Sequence, residues 1–406
     1  MVHFRHGGLV RSQRVQLIVA AVVALIGVLT LWAGPIDGVG RAETDTVHYT
    51  QRAYQFAGYD HTTATTKAVR FVCDDEADYT NAPRNICEGN MYGVLGFPPQ
   101  YQAIFRARPG FPAVMSLFIR AFGDQGIYLA VLLLQIATGL LLVLTARALG
   151  SPGLWPLAAE AAYFLLPSGF VGTRVLSEAA SAPGLAALLY AVALMGRRRR
   201  AAITMAVTAF AWLFAVRAAD ATLAAAFLLL VGLAALAVRK TDKEWAKALT
   251  VTSLASLAVM IALSAAMSWP TVRQGIEDTM TNHFTQPATS EMYRRFLSLE
   301  VRFWRAFATQ ISAGAYLVVL AALGIWGVAK RGWTAAPFLA VAAIGGASLL
   351  LHPGDWTRML APMWIVVSLG LPLLVARRPE AEAEPELRLP TQAGVGEQPR
   401  SPTLSP

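Results

Sequence analysis

The chain has 406 residues, of which 55% are hydrophobic and only 15% charged, well below the roughly 25% charge of soluble domains. Apolar stretches long enough to cross a bilayer recur along it, so the expected class is an all-α integral membrane protein. The formal charge of +9 is divided among short basic clusters between apolar runs. That is a topology signal, not the continuous basic surface that nucleic-acid binding requires.

In chain order, about ten spans are predicted at the roughly 20 residues a crossing helix needs. They run over 15–33, 126–148, 153–169, 175–196, 201–217, 219–238, 247–268, 307–329, 335–351 and 358–376. The first has a basic start and ends in the small residues Ala33 and Gly34, so a cleaved signal peptide is the alternative to a retained span. With Arg5, Arg11 and Arg14 placed in the cytoplasm, alternation puts the other basic clusters there too. These are Arg147, Arg197 to Arg200, Arg239 to Lys247, Lys330 with Arg331, and Arg377 with Arg378. The expectation is a multi-pass plasma-membrane protein with both termini cytoplasmic. Residues 1–378 form the membrane domain, and the Pro-, Glu- and Ala-rich segment 379–406 a disordered cytoplasmic tail. Two large pieces, about 34–125 and 269–306, lie outside, with short outer loops near 170–174, 217–220 and 352–357.

Within the first outer piece, DTVHYTQRAYQFAG places Asp45, Tyr49, Ala53 and Ala57 on one face of a helix headed by an acid. Asp45 there suits a catalytic base or a plain N-cap. Cys73 and Cys87 lie in the same piece, and a disulfide suits an oxidising space, with two free thiols as the alternative. CDDE, Cys73 to Glu76, reads as a solvated loop face in preference to a cation site, and His48 and His283 read as solvated polar residues. Ionisable residues also gather at the outer ends of spans: Arg106, Arg108, Arg174, Glu178, Arg217, Asp220, His352, Asp355 and Arg358. Such groups near a bilayer are costly and mark function, and arginine's fork of donors suits a phosphate. Glu178 also reads as a partner for Arg174 one turn earlier. Glu160 stands near mid-span. His352 and Asp355 offer two metal ligands without a third, so no metal site is assigned and a divalent cation stays open as a cofactor. Residues 280–307 carry Arg294, Arg295, Arg302 and Arg305 between apolar residues, the pattern of an amphipathic helix on the outer leaflet.

Four of these pieces resemble the GT-C fold superfamily of polyprenyl-phosphate-sugar-dependent glycosyltransferases, which includes mannosyl-, arabinosyl- and aminoarabinosyl-transferases. They are the Asp45, Tyr49, Ala53, Ala57, Gly58 series; RPGFP (Arg108 to Pro112) with its helix ending in Phe122 and Gly123; LSE (Leu176 to Glu178) heading a span; and Arg358 with Pro362 opening the last span. The chain has Thr46, Ala218 and Met359 where the family often has Glu, Pro and Tyr.

The resemblance implies a GT-C-like bundle and an inverting transfer of a hexose or pentose from a polyprenyl-phosphate carrier. The acceptor is a hydroxyl of a glycan, glycolipid or protein on the extracytoplasmic side. Asp45 is then the general base. Arg358, Arg174 and Arg217 hold the lipid phosphate, and Tyr49, Arg108, Glu178 and His352 are substrate-side candidates. The competing readings are a transporter or flippase of a lipid-linked intermediate, with Glu160 as a charge in its passage, and a catalytically silent relative acting in assembly.

Overall fold

The computed structural model describes residues 6–33, 40–79, 83–238, 241–310, 314–354 and 356–375. The predicted tail, the basic pairs Arg239–Lys240 and Arg377–Arg378, and Asp355 lie outside the described residues, as does Arg5. The described chain is all-helical, and six of its helical stretches are long and apolar enough to cross a membrane.

Helix α1 (His6–Ala33) packs against three later helices, with Ala20, Ala24 and Val28 forming a fully buried stripe at a spacing of one turn. The first large loop piece is itself helical: α2 (Thr46–Ala57), α3 (His61–Tyr79), α4 (Arg84–Leu95), α5 (Pro99–Arg106) and α6 (Gly110–Phe122). Proline at the first position of α5 starts that helix, and Gly58 ends α2 at a φ of 108°, a conformation open to glycine. Cys73 and Cys87 form a disulfide, with 5.7 Å between their Cα atoms, that ties α3 to α4. These helices share a core with the near ends of the spans, where Tyr49, Phe111, Met115, Val131, Val175 and Val216 meet.

Next come α7 (Gln125–Ala148), α8 (Trp155–Leu165), α9 (Pro167–Gly172), α10 (Ser177–Leu194), α11 (Arg199–Ala237) and α12 (Lys243–Ala266). The chain continues through α13 (Val272–Met280), α14 (Met292–Gln310), α15 (Ala315–Ala329), α16 (Ala336–Leu351), α17 (Trp356–Met359) and α18 (Ala361–Val375).

Side-chain ties define the two ends of this bundle. At one end Gln16 donates to the Gly153 carbonyl (3.0 Å), Arg197 to that of Ala148 (3.4 Å), and Arg199 pairs with Glu244 (2.7 Å). At the other, Trp32 donates to the Thr173 carbonyl, Val175 N–H to that of Arg41, and Thr46 to that of Val175, each at 2.9 Å.

Three predicted spans differ from uninterrupted helices. Residues 153–169 divide into α8 and α9 at Leu166, whose extended backbone (φ −94°, ψ 166°) follows from Pro167 behind it. The stretch 307–329 is shared between α14 and α15. The stretch 358–376 is shared between α17 and α18, the second of which has Pro362 in its first turn. Conversely, 201–217 and 219–238 belong to one helical element. As a straight rod of 39 residues, α11 would be about 58 Å long, nearly twice a bilayer's hydrocarbon core. It is not straight. Arg217 has non-helical angles (φ −154°, ψ 80°), and Arg199 at its start reaches Glu244, just beyond its end. The element therefore folds back at Arg217 into two limbs. The first packs on α10, where Trp212 donates to the Ala180 carbonyl (2.7 Å), and the second lies along α12 at Gly232 and Thr250.

Candidate functional site

The reversal at Arg217, the start of α10, the break after α9, the segment before α2 and the short α17 all arrive at the same end of the bundle. Their charged side chains converge there. Asp45 precedes α2 in a helical conformation (φ −62°, ψ −26°) and makes no side-chain capping bond, so its carboxylate is not consumed by the helix it heads. It accepts from Arg358 Nη2 at 2.9 Å. Arg358 Nε donates to Glu178 Oε1 (3.0 Å), and Nη1 lies 3.5 Å from Glu43 Oε2.

Glu178 is the hub of this cluster. The same Oε1 pairs with Arg217 Nη1 at 2.6 Å, and Arg217 Nε pairs with Asp220 at 2.9 Å. Among the described residues Glu178 makes no ion pair with Arg174; its partners come from α11 and α17, and Arg174 turns instead to Glu43 while its guanidinium lies 3.8 Å over the Phe170 ring. Four carboxylates thus interleave with Arg174, Arg217 and Arg358. Their exposure is uneven: the Glu178 and Asp220 side chains are 2% and 3% exposed, against 24% for Asp45 and 21% for Glu43. Burial raises the Glu43 pKa above the ordinary carboxylate value, against the pull of Arg358 and Arg174.

Tyr49 is fully buried between Phe105 and Phe111, and its hydroxyl accepts from Arg108 Nη1 at 2.6 Å. Arg108 makes no ion pair among the described residues. His352 follows α16, exposed to solvent near Gly275 of α13. Among the described residues no three His, Cys, Asp or Glu side chains group closely enough to hold a metal ion.

Two expectations are corrected. CDDE is not a solvated loop face. It lies in α3, and Asp75 is buried, accepting from Arg41 Nε (2.8 Å), the Ala42 N–H (2.7 Å) and Tyr128 (2.8 Å). This fixes the segment that carries Glu43 and Asp45. His48 is not solvated either: it is 1% exposed and stacked 4.0 Å from Phe105. Burial lowers its pKa to about 4, so it is neutral at pH 7. His283 is partly exposed, paired with Asp278 at 3.1 Å and stacked on Phe97.

Sequence reasoning missed Glu43, although its alternation with Arg41 and Asp45 in RAETD puts three ionisable residues in five. It also missed Arg52, seven residues after Asp45 and so on the same helical face. No family model, curated protein or solved structure matches the chain.

Proposed function

We propose that the chain is an inverting glycosyltransferase of GT-C type that uses a polyprenyl-phosphate sugar, with Asp45 as general base. The observation carrying this reading is the Asp45–Arg358 contact: an acid that heads a helix without capping it, partly open to solvent, set against a guanidinium in a cluster of arginines. Asp45 takes the proton of an acceptor hydroxyl as that oxygen attacks the anomeric carbon. The bond from that carbon to the phosphate oxygen breaks, and the lipid phosphate leaves with the electron pair. Arg358, Arg217 and Arg174 are the nearest cations to offset its charge, with Arg108 beside them.

The same reading gives ten crossings and sets the site on the extracytoplasmic face. Its support is that α8 with α9 reaches both ends of the bundle and α11 doubles back. The basic residues Arg197, Arg199 and Lys243 gather at the end opposite the site, which the positive-inside rule assigns to the cytoplasm. On α14, Tyr293, Leu297 and Val301 form an exposed apolar stripe flanked by Arg294 and Arg302, suited to the outer leaflet.

The test is a membrane assay with radiolabelled polyprenyl-phosphate mannose and arabinose, comparing the native chain with Asp45→Asn and Glu43→Gln. Loss of a positioned base costs about 10²–10⁴-fold in rate, expected for Asp45→Asn and not for Glu43→Gln. Full transfer by Asp45→Asn rejects the assignment.

A further inference from the structure

Helix α2 carries two stripes. Tyr49 and Ala53 turn into the core, fully buried. Asp45, His48, Arg52 and Gln55, at intervals of three, four and three residues, follow a second stripe. Beyond Asp45, that stripe walls an open cavity of 570 Å³ bounded by the start of α3 and by α4 and α5.

The lining identifies what fits there. Arg52 and Arg106 both face the cavity, and no Asp or Glu lines it. Neither arginine makes an ion pair among the described residues. Arg52 Nε is buried with no hydrogen-bond partner, and burial, then the charge of Arg106, disfavours the Arg52 cation. Two like charges on one cavity without a counter-charge are relieved by an anion. The remaining wall is suited to a sugar. The amide nitrogens of Gln51 and Gln55 are held by Thr65 (2.7 Å) and His61 (2.9 Å), which leaves their side-chain oxygens as acceptors for hydroxyls. Tyr92 and Phe97 add aromatic surface.

Arg52 stands two turns beyond Asp45, about 10 Å along the helix axis, with His48 between them. We infer that this cavity is the acceptor subsite and takes an acidic saccharide, whose phosphate or carboxylate sits on Arg52 and Arg106 while a hydroxyl further along reaches Asp45. The acceptor role rests on the transferase reading; the anion site does not.

The experiment uses the full chain in phosphatidylcholine nanodiscs. Calorimetry measures binding of glucose 6-phosphate, glucuronate and uncharged methyl glucoside. The two acidic sugars are expected to bind at least about tenfold more tightly than methyl glucoside, and Arg52→Gln or Arg106→Gln to remove about tenfold each. Arg106 is exposed, so its variant stays informative if Arg52→Gln fails to fold. Asp45→Asn should leave this binding unchanged even though it stops transfer, which separates failure of the base assignment from failure of the subsite. Equal affinity for charged and uncharged sugars, or native affinity in the double arginine variant, overturns the inference. Displacement of glucose 6-phosphate by added phosphatidylglycerol assigns the anion to a lipid head group, and overturns the acceptor role while leaving the anion site.

Discussion

Glu178→Gln and Asp45→Asn both remove one carboxylate charge from Arg358, yet they should differ sharply in stability. Gln keeps the shape of Glu178, and its amide oxygen can still accept from Arg358 Nε and Arg217 Nη1, both of which meet Oε1. What disappears is the charge, at a side chain only 2% exposed. Breaking a buried ion pair costs about 3–5 kcal/mol because the partner charge is left uncompensated. Arg217 retains Asp220, and Arg358 retains Asp45 and Glu43, which puts the expected loss at the low end, about 3 kcal/mol. The Asp45 side chain is 24% exposed and its ion pair is with Arg358 alone among the described residues, so Asp45→Asn should cost less, about 1 kcal/mol. Unfolding in mixed micelles, followed by tryptophan fluorescence, gives both numbers. Equal losses would refute the view that Glu178 is the structural hub and Asp45 the spare acid.

The pH dependence of stability should carry a signature of His48. Its folded pKa of about 4 lies below the unfolded 6.5, so its contribution is complete above about pH 6.5 and falls by about 3 kcal/mol as the pH drops through 4; the native chain should lose that much more than His48→Gln between pH 7.5 and pH 3.5, and parallel curves would reject it. Gly370→Ala should destabilise by about 1–3 kcal/mol, because a Cβ there meets the backbone of Gly324 where α18 crosses α15, whereas Gly346→Ala meets nothing and should be neutral; equal unfolding midpoints would reject that crossing. Asp45→Asn should bind polyprenyl phosphate several-fold more tightly than the native chain, since it removes an anion competing for Arg358; unchanged affinity in a filter-binding assay would mean that the phosphate does not use this guanidinium.

The sequence made the broad class legible because bilayer thickness acts directly on run length, and basic clusters mark one end of the bundle. The convergence of Asp45, Glu178, Arg217 and Arg358 was legible only as a shared side, since alternating spans fix which end a residue reaches and not which residue it touches. Pairing is a tertiary event: Asp45 and Arg358 are 313 positions apart. The reversal of α11 was legible only from charge, as Arg217 and Asp220 between two apolar runs, since Ala218 and Ala219 supply neither glycine nor proline; buried ion pairs to Glu178 and Asp220 hold Arg217 there. His48 and Asp75 were misread for one reason. Composition marks polar residues as solvated, and only the packed structure shows the aromatic ring or the donors that offset their burial.

On the transferase reading, the pairing of every arginine in the cluster has a mechanistic consequence. Nε, Nη1 and Nη2 of Arg358 all already face carboxylates, so a lipid phosphate does not enter a vacant cationic site; it must exchange for an acid. Glu178 is a poor candidate, being held by two arginines and almost wholly buried. Asp45 is the exchangeable one, paired with Arg358 alone among the described residues and with the largest exposure of the four. A phosphate that takes Nη2 releases the Asp45 carboxylate from its ion pair with Arg358. Donor binding and base activation then become one event, and the acid that heads α2 remains masked until a sugar carrier is in place.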